Sequence, residues 1–191
     1  MKTTAPPRIL IAPIGDVDPQ LPAAVGREIR RVFRALPEVR PLLSDLSFAF
    51  DAGREQYHST PVLQRLAEAS PPEALRVLAL TDVDLFIPIL THVYGEAQLG
   101  GAACIVSTHR LNSGAETLRS PSIAVGRVVK EAIHELGHTF RLRHCPDAAC
   151  IMHYCRSESD VDRKSNDLCR YCRVMLDDEL RRLGKRASAR F

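Results

Sequence analysis

The chain has 191 residues and a mass of 21.2 kDa, enough for one compact domain and too little for two full ones. With 45% hydrophobic and 26% charged residues it is neither a disordered nor a fibrous chain, and no apolar run approaches the length that crosses a membrane. The formal charge is only +3 and no long block of like charge occurs, so charge alone names no partner.

Residues 8–13 (RILIAP) are a short apolar run closed by the turn residues Gly15 and Asp16, the pattern of a buried strand. Over residues 19–36 the positions Leu21, Val25, Ile29, Val32 and Phe33 recur at helical spacing, and Pro37 is expected to close that helix. Residues 39–50 are read as a second strand. Ser59 or Thr60, just before Pro61, is expected to cap a helix through Leu63, Leu66 and Ala67. Residues 76–80, 84–90 and 100–108 read as further strands, the last two separated by a loop. Ser120 and Pro121 then open a helix to about Phe140, with Ile123, Val128, Ala132, Ile133 and Leu136 on its apolar side. At about 1.5 Å per residue it spans about 30 Å, enough to back a sheet. Beyond it the chain is Cys-rich and irregular until a last helix near residues 171–183 and a polar tail over 184–191. This order predicts an α/β (α+β) fold, a mixed twisted β-sheet backed by helices.

Inside the long helix stands His134-Glu135-Leu136-Gly137-His138, an HExxH sequence. Four-residue spacing puts both imidazoles on one helical face, near enough to share a metal ion. Glu135 is rotated about 100° from His134, so it can hold the water on the metal rather than the metal itself. His144 can complete a three-nitrogen set and leave a fourth position for water or substrate. Three neutral ligands keep the ion's charge undiminished, which acidifies its water and polarises a substrate carbonyl. Glu135 would take the water's proton and pass it to the leaving amine.

Of the six cysteines, five lie between Cys145 and Cys172. The first residues do not read as a secretory signal, so a reducing, cytoplasmic setting is expected, where clustered cysteines are more often a metal site than a disulfide framework. Cys145, Cys150, Cys169 and Cys172 form two short hooks that can supply four thiolates in a tetrahedron, the preferred structural zinc site. Disulfide pairing is the alternative. Cys155 is a competitor for the place of Cys150, and Cys104 reads as a small buried residue in a strand.

Met152 follows His144 by eight residues, and extended HExxHxxGxxH sites followed by a Met-containing turn define the metzincins. The stretch from His134 to Cys172 resembles the archaemetzincin family of zinc-dependent metalloproteases. By that resemblance His134, His138 and His144 bind a catalytic zinc, Glu135 is the general base, and Met152 forms an apolar floor under the histidines. The same resemblance assigns Cys145, Cys150, Cys169 and Cys172 to a second, structural zinc, making two Zn2+ per chain. It implies a single metzincin-like catalytic domain over residues 1–191, with an N-terminal α/β subdomain (1–140) and a zinc-stabilised C-terminal subdomain (141–191). Tyr154, in a Met-x-Tyr arrangement, is a candidate for contact with the zinc or the oxyanion, or simply for packing. One departure matters: the motif glycine is Arg141 here, and an Arg in the left-handed conformation that glycine supplies costs on the order of 1–2 kcal/mol.

The remaining histidines, His58, His92, His109 and His153, have no ligand spacing among themselves. Residues 102–108 read either as the sheet edge that receives an extended peptide or as an interior strand. The C-terminal arginines, Arg170 to Arg190, alternate with Asp177, Asp178 and Glu179 and read as a solvated face. The function expected is a cytoplasmic, monomeric zinc metallopeptidase acting on peptide or protein substrates, with no nucleic acid and no membrane. The alternatives are a zinc-stabilised binding protein that no longer turns over substrate, for which Arg141 is the motive, and a nucleic-acid-binding zinc module.

Overall fold

The computed structural model describes residues 6–113 and 120–188; the expected tail beyond residue 188, with Arg190, lies outside them. The element order is β1 (Arg8–Ile14), α1 (Gln20–Phe33), β2 (Leu36–Val39), β3 (Phe50–Asp51), β4 (Gln56–His58), α2 (Ser59–Glu68), β5 (Ala74–Thr81), β6 (Leu85–Phe86), β7 (Gly95–Ala97), β8 (Ala103–Ser107), α3 (Pro121–Thr139), α4 (Glu158–Arg163) and α5 (Arg170–Ser188). The main sheet has the order β2-β1-β5-β8-β7. Its first four strands are parallel, and β7 pairs antiparallel with β8 at one edge. A small second sheet joins β3, β4 and β6.

The central strands are mostly apolar because both faces of a parallel sheet are covered, with polar residues such as Arg76, Thr81 and Ser107 near their ends. Ile9 and Ile11 of β1, Leu78 and Leu80 of β5, and Cys104 and Val106 of β8 face the layer built from α1, α3 and the C-terminal segment. Leu10 and Ala12, Val77 and Ala79, and Ala103 and Ile105 face the opposite way, toward α2 and the small sheet. The apolar side of α3 (Val128, Ala132, Ile133, Leu136) meets Val25, Ile29 and Phe33 of α1, and Phe140 stacks on Phe33 with ring centroids 4.9 Å apart. Cys150, Ile151, Met152, Val161, Cys172 and Leu176 join this same cluster, so the residues after 141 complete the core under α3.

Several local expectations are corrected. Helix α1 ends at Arg34, which adopts a left-handed conformation (φ 54°), and not at Pro37. Pro37 lies instead in β2, an edge strand where its missing N–H costs little. The strand expected over residues 39–50 is an irregular stretch with a single 3-10 turn, Ser47–Ala49. The strand expected over residues 84–90 is limited to Leu85–Phe86, since Pro88 cannot donate to a ladder. Helix α3 does open at Ser120 and Pro121 as expected, but the Ser120 hydroxyl bonds no helix amide and lies 2.8 Å from that of Ser122. Ser59 is the first residue of α2 rather than its cap, and its hydroxyl serves Glu96 at 2.5 Å. Residues 102–108 are interior, and the edge belongs to β7, whose Gly-Glu-Ala sequence carries no strand signal of its own.

Candidate metal centre

Helix α3 brings His134 and His138 to one face with their Nε2 atoms 3.1 Å apart. Each ring is held from behind. His134 Nδ1–H donates to the Ile151 carbonyl at 2.9 Å, and His138 Nδ1–H donates to the Leu142 carbonyl at 2.7 Å. With both Nδ1 atoms acting as donors, the two Nε2 lone pairs face each other across that gap, an arrangement that a cation between them satisfies.

The third histidine arrives through the end of the helix. Arg141 N–H bonds the His138 carbonyl at 2.9 Å and Leu142 N–H bonds that of Gly137 at 3.1 Å, the paired bonds of a Schellman end. Arg141 occupies the left-handed position with φ 67°. The arginine therefore takes the conformation that glycine would supply, and the chain turns sharply enough to carry His144 back. Its ring centroid lies 5.3 Å from that of His134 and 4.9 Å from that of His138. One nitrogen from each of the three lies within 4.8 Å of the others, a spacing that fits one tetrahedral ion with a coordination position to spare.

Burial lowers the pKa of His134 well below the ordinary imidazole value and lowers that of His138, so both are kept in the neutral, metal-binding form. Burial, reinforced by the charge of Glu131, raises the pKa of Glu135 well above the usual carboxylate range. A cavity of about 390 Å³ opens over the histidines between the outer edge of β7 and residues 154–156. Gly95 of β7 crosses directly over Glu135: a Cβ there would fall 2.7 Å from Glu135 Cγ and 2.7 Å from the Ile105 carbonyl oxygen. Met152 is fully buried beneath α3, against Gly137. Tyr154 is exposed at the cavity, its ring 5.0 Å from that of His144.

The second group is Cys145, Cys150, Cys169 and Cys172, whose sulfurs all lie within 4.8 Å of one another. Cys145 and Cys169 are 3.7 Å apart at sulfur, and the Cys169 N–H points at Cys150 Sγ at 3.3 Å. All six cysteines are free thiols, and this foursome suits a structural zinc. Cys155 stands apart on the cavity wall, its thiol donating to the His153 carbonyl at 3.6 Å. Cys104 is buried in β8, as expected. Among the described residues no other histidine joins either group: His58 stacks on Phe86, and His153 faces the Cys145 carbonyl.

Among the cavity residues, reading the sequence missed Tyr94, Glu96 and Glu131 and set aside His92, which also lines the cavity. Tyr94 and Glu96 come from the β7 region, and Glu96 is fixed by the Ser59 and Thr60 hydroxyls at the start of α2. Glu131 lies on α3 four residues before Glu135, a helical spacing that could have singled it out.

A mixed sheet with its antiparallel edge strand over a histidine trio, two on a helix and one just beyond it, is the framework of a zinc-dependent metallopeptidase. The family model for Peptidase family M54 matches residues 64–178. The archaemetzincin of Methanopyrus kandleri is 38% identical over 169 residues, covering 87% of this chain and 93% of that protein. That of Natronomonas pharaonis is 33% identical over 170 residues, covering 85% and 95%. The crystal structure of the Methanopyrus kandleri archaemetzincin superposes with a TM-score of 0.81 at 35% identity, covering 92% of this chain and 96% of that one. That of Archaeoglobus fulgidus gives 0.75 at 34% identity, covering 88% and 99%. The chain belongs to peptidase family M54, the archaemetzincins, and is a zinc metalloprotease by that membership.

Proposed function

We propose that the chain hydrolyses peptide bonds at the histidine trio, with Glu135 as general base and His134, His138 and His144 as the ligands of a catalytic zinc. Bound there, zinc supplies a Lewis acid for the scissile carbonyl and makes a water molecule acidic enough to lose its proton near neutral pH. The carbonyls of Ile151 and Leu142 hold the His134 and His138 imidazoles in the required tautomer, so these two ligands are set for metal uptake. Glu135 accepts the proton of the attacking water as its oxygen bonds to the carbonyl carbon. It then delivers that proton to the leaving nitrogen as the C–N bond breaks. A carboxylate whose proton affinity is raised by burial suits both halves of that transfer. Tyr154, whose ring lies beside that of His144, offers its hydroxyl to the carbonyl oxygen as it gains charge.

The substrate backbone lies along the outer edge of β7, adding a strand to the sheet, and the absence of a side chain at Gly95 lets that strand pass over Glu135. The four cysteines hold a structural zinc, which calls for the reduced thiols of a cytoplasmic setting. Among the described residues no helix is long and apolar enough to cross a membrane. The observation that carries the reading is the meeting of three histidines beside a buried glutamate inside one cavity. The left-handed backbone at Arg141, which turns the chain as glycine would, supports this reading over that of an inactive binding protein.

The test is cleavage of a broad peptide library by zinc-loaded protein, with and without chelator, beside Glu135→Gln. Chelator-sensitive cleavage that is lost in Glu135→Gln with zinc content unchanged is the expected result. Absence of cleavage by the loaded wild type, or full activity in the variant, overturns it.

A further inference from the structure

Outside the two metal groups, Lys164 is the most deeply placed charge among the described residues. Its side chain is fully buried and its Nζ lies 2.6 Å from Glu131 Oε1. Burying such a pair is often no more stabilising than packing apolar residues of the same shape, so stability alone does not account for it. Its connections point elsewhere. Ser165, the next residue, donates its N–H and its hydroxyl to the Ala149 carbonyl at 3.0 and 2.6 Å. The Ile151 N–H bonds the Asp167 carbonyl at 2.8 Å. The Ile151 carbonyl in turn receives His134 Nδ1–H. The path is closed: it leaves α3 at Glu131, runs through Lys164, Ser165 and residues 149–151, and returns to α3 three residues later at His134.

We propose that Lys164 is a positioning residue for the first metal ligand. Its ammonium, fixed on Glu131, holds residues 164–167 and with them the Ile151 carbonyl, which sets the rotation and tautomer of the His134 ring. This rests on the proposed reading of the histidine trio as a metal site. Helix α4 itself is anchored separately, by Arg127 on Asp162 and by Lys130 Nζ on the carbonyls of Val161 and Asp162. Removing the Lys164 charge therefore leaves α4 docked and acts on residues 164–167.

The test is cobalt uptake, because Co2+ at three histidines gives a ligand-field spectrum while Co2+ at four thiolates gives an intense charge-transfer band. In Lys164→Met the affinity of the histidine site is expected to fall by about tenfold or more, in the range found for lost outer-shell partners, with the thiolate band unchanged. Glu131→Gln, which keeps an oxygen for Nζ, retains most of the affinity. If Lys164→Met does not fold, Glu131→Met/Lys164→Met removes both buried charges and is expected to show the same selective loss. Wild-type affinity in the folded variant, even with a lowered melting temperature, overturns the proposal. A loss in Glu131→Gln with wild-type affinity in Lys164→Met also overturns it, since removal of a negative charge near the cation then accounts for the effect. A wild type that takes up cobalt at the thiolates alone fails the histidine reading itself, and this inference with it.

Discussion

Gly137 and Met152 touch: a Cβ built on Gly137 would overlap the Met152 sulfur and lie 3.0 Å from its Cε. The helix that carries two of the histidines can settle on the methionine only because residue 137 has no side chain. Gly137→Ala isolates this contact, since helix propensity alone favours Ala by about 1 kcal/mol. Overpacking of a filled core costs about 1–3 kcal/mol, so the net effect is expected to be destabilising. At about 2–4 °C per kcal/mol for a chain of this size, the melting temperature should drop by a few degrees. A rise would show that Met152 moves aside at no cost.

Arg141 gives a second prediction of opposite sign. Its left-handed backbone (φ 67°) costs about 1–2 kcal/mol in a residue with a Cβ, and glycine would remove that strain at the price of about 0.5–1 kcal/mol of unfolded-chain freedom. Arg141→Gly is expected to melt at the same temperature or slightly higher, with metal affinity at the histidines unchanged. The side chain offsets part of the gain, since its stem lies over Gly100 and its Nε is 3.7 Å from Glu179. A clear drop in melting temperature would show that these contacts outweigh the strain. Arg141→Val, β-branched in the same conformation, should be the less stable comparison.

Acid should loosen the metal-free fold before it reaches the carboxylates. Burial lowers the pKa of His134 and His138 in the folded chain, whereas unfolded histidines titrate near about 6.5. Between the unfolded value and the lower folded ones the unfolded state binds more protons, so stability falls as pH drops through that window. Asp162, held low by its hydrogen bonds from Arg127, behaves like an ordinary paired carboxylate, and its contribution is lost only at more acidic pH. Glu135, whose pKa burial raises, has the opposite sign, so the histidine effect is read in chelated Glu135→Gln protein, where urea denaturation should show stability declining as pH falls from neutrality. Stability that is flat or rising on acidification from neutral pH would contradict the buried neutral histidines.

How much of this was legible in the sequence depends on whether the signal was local. The four-residue histidine spacing, the Cys hooks and the turn demanded at Arg141 are all short-range patterns, and each is found in the structure where the sequence put it. Strand β7 was not legible because Gly95-Glu96-Ala97 is a strand only through pairing with β8, and Gly95 is required by Glu135, forty residues away. Helix α4 is short, yet it carried a readable mark: Ser157 and Asp160 form a capping box, and hydrogen bonds from the Arg156 N–H and neighbouring donors hold the Asp160 pKa at about 2. The pairing of Lys164 with Glu131 had no mark at all, since nothing near either residue indicates its partner.

Replacing one thiolate of the cysteine foursome should be felt at the histidines. His144 and Cys145 are consecutive, and the Cys145 N–H bonds the Met152 carbonyl at 2.9 Å, so the backbone that presents the third histidine is also the backbone that enters the sulfur cluster. Cys169 closes that cluster from the start of α5, with its sulfur against Cys145 and its N–H toward Cys150. Structural zinc contributes on the order of 10 kcal/mol to the folding of small metal-bound units, far more than the local hydrogen bonds could replace. In Cys169→Ser, zinc analysis should therefore show loss of metal from the cysteine site together with a weakened histidine site. Cys155→Ser, on the cavity wall outside the foursome, should leave the content of both sites as in the wild type. A folded Cys169→Ser protein that still holds zinc at the histidines with wild-type affinity would show that the loop from Arg141 to Met152 keeps its shape without the sulfur cluster, and that the two sites are independent.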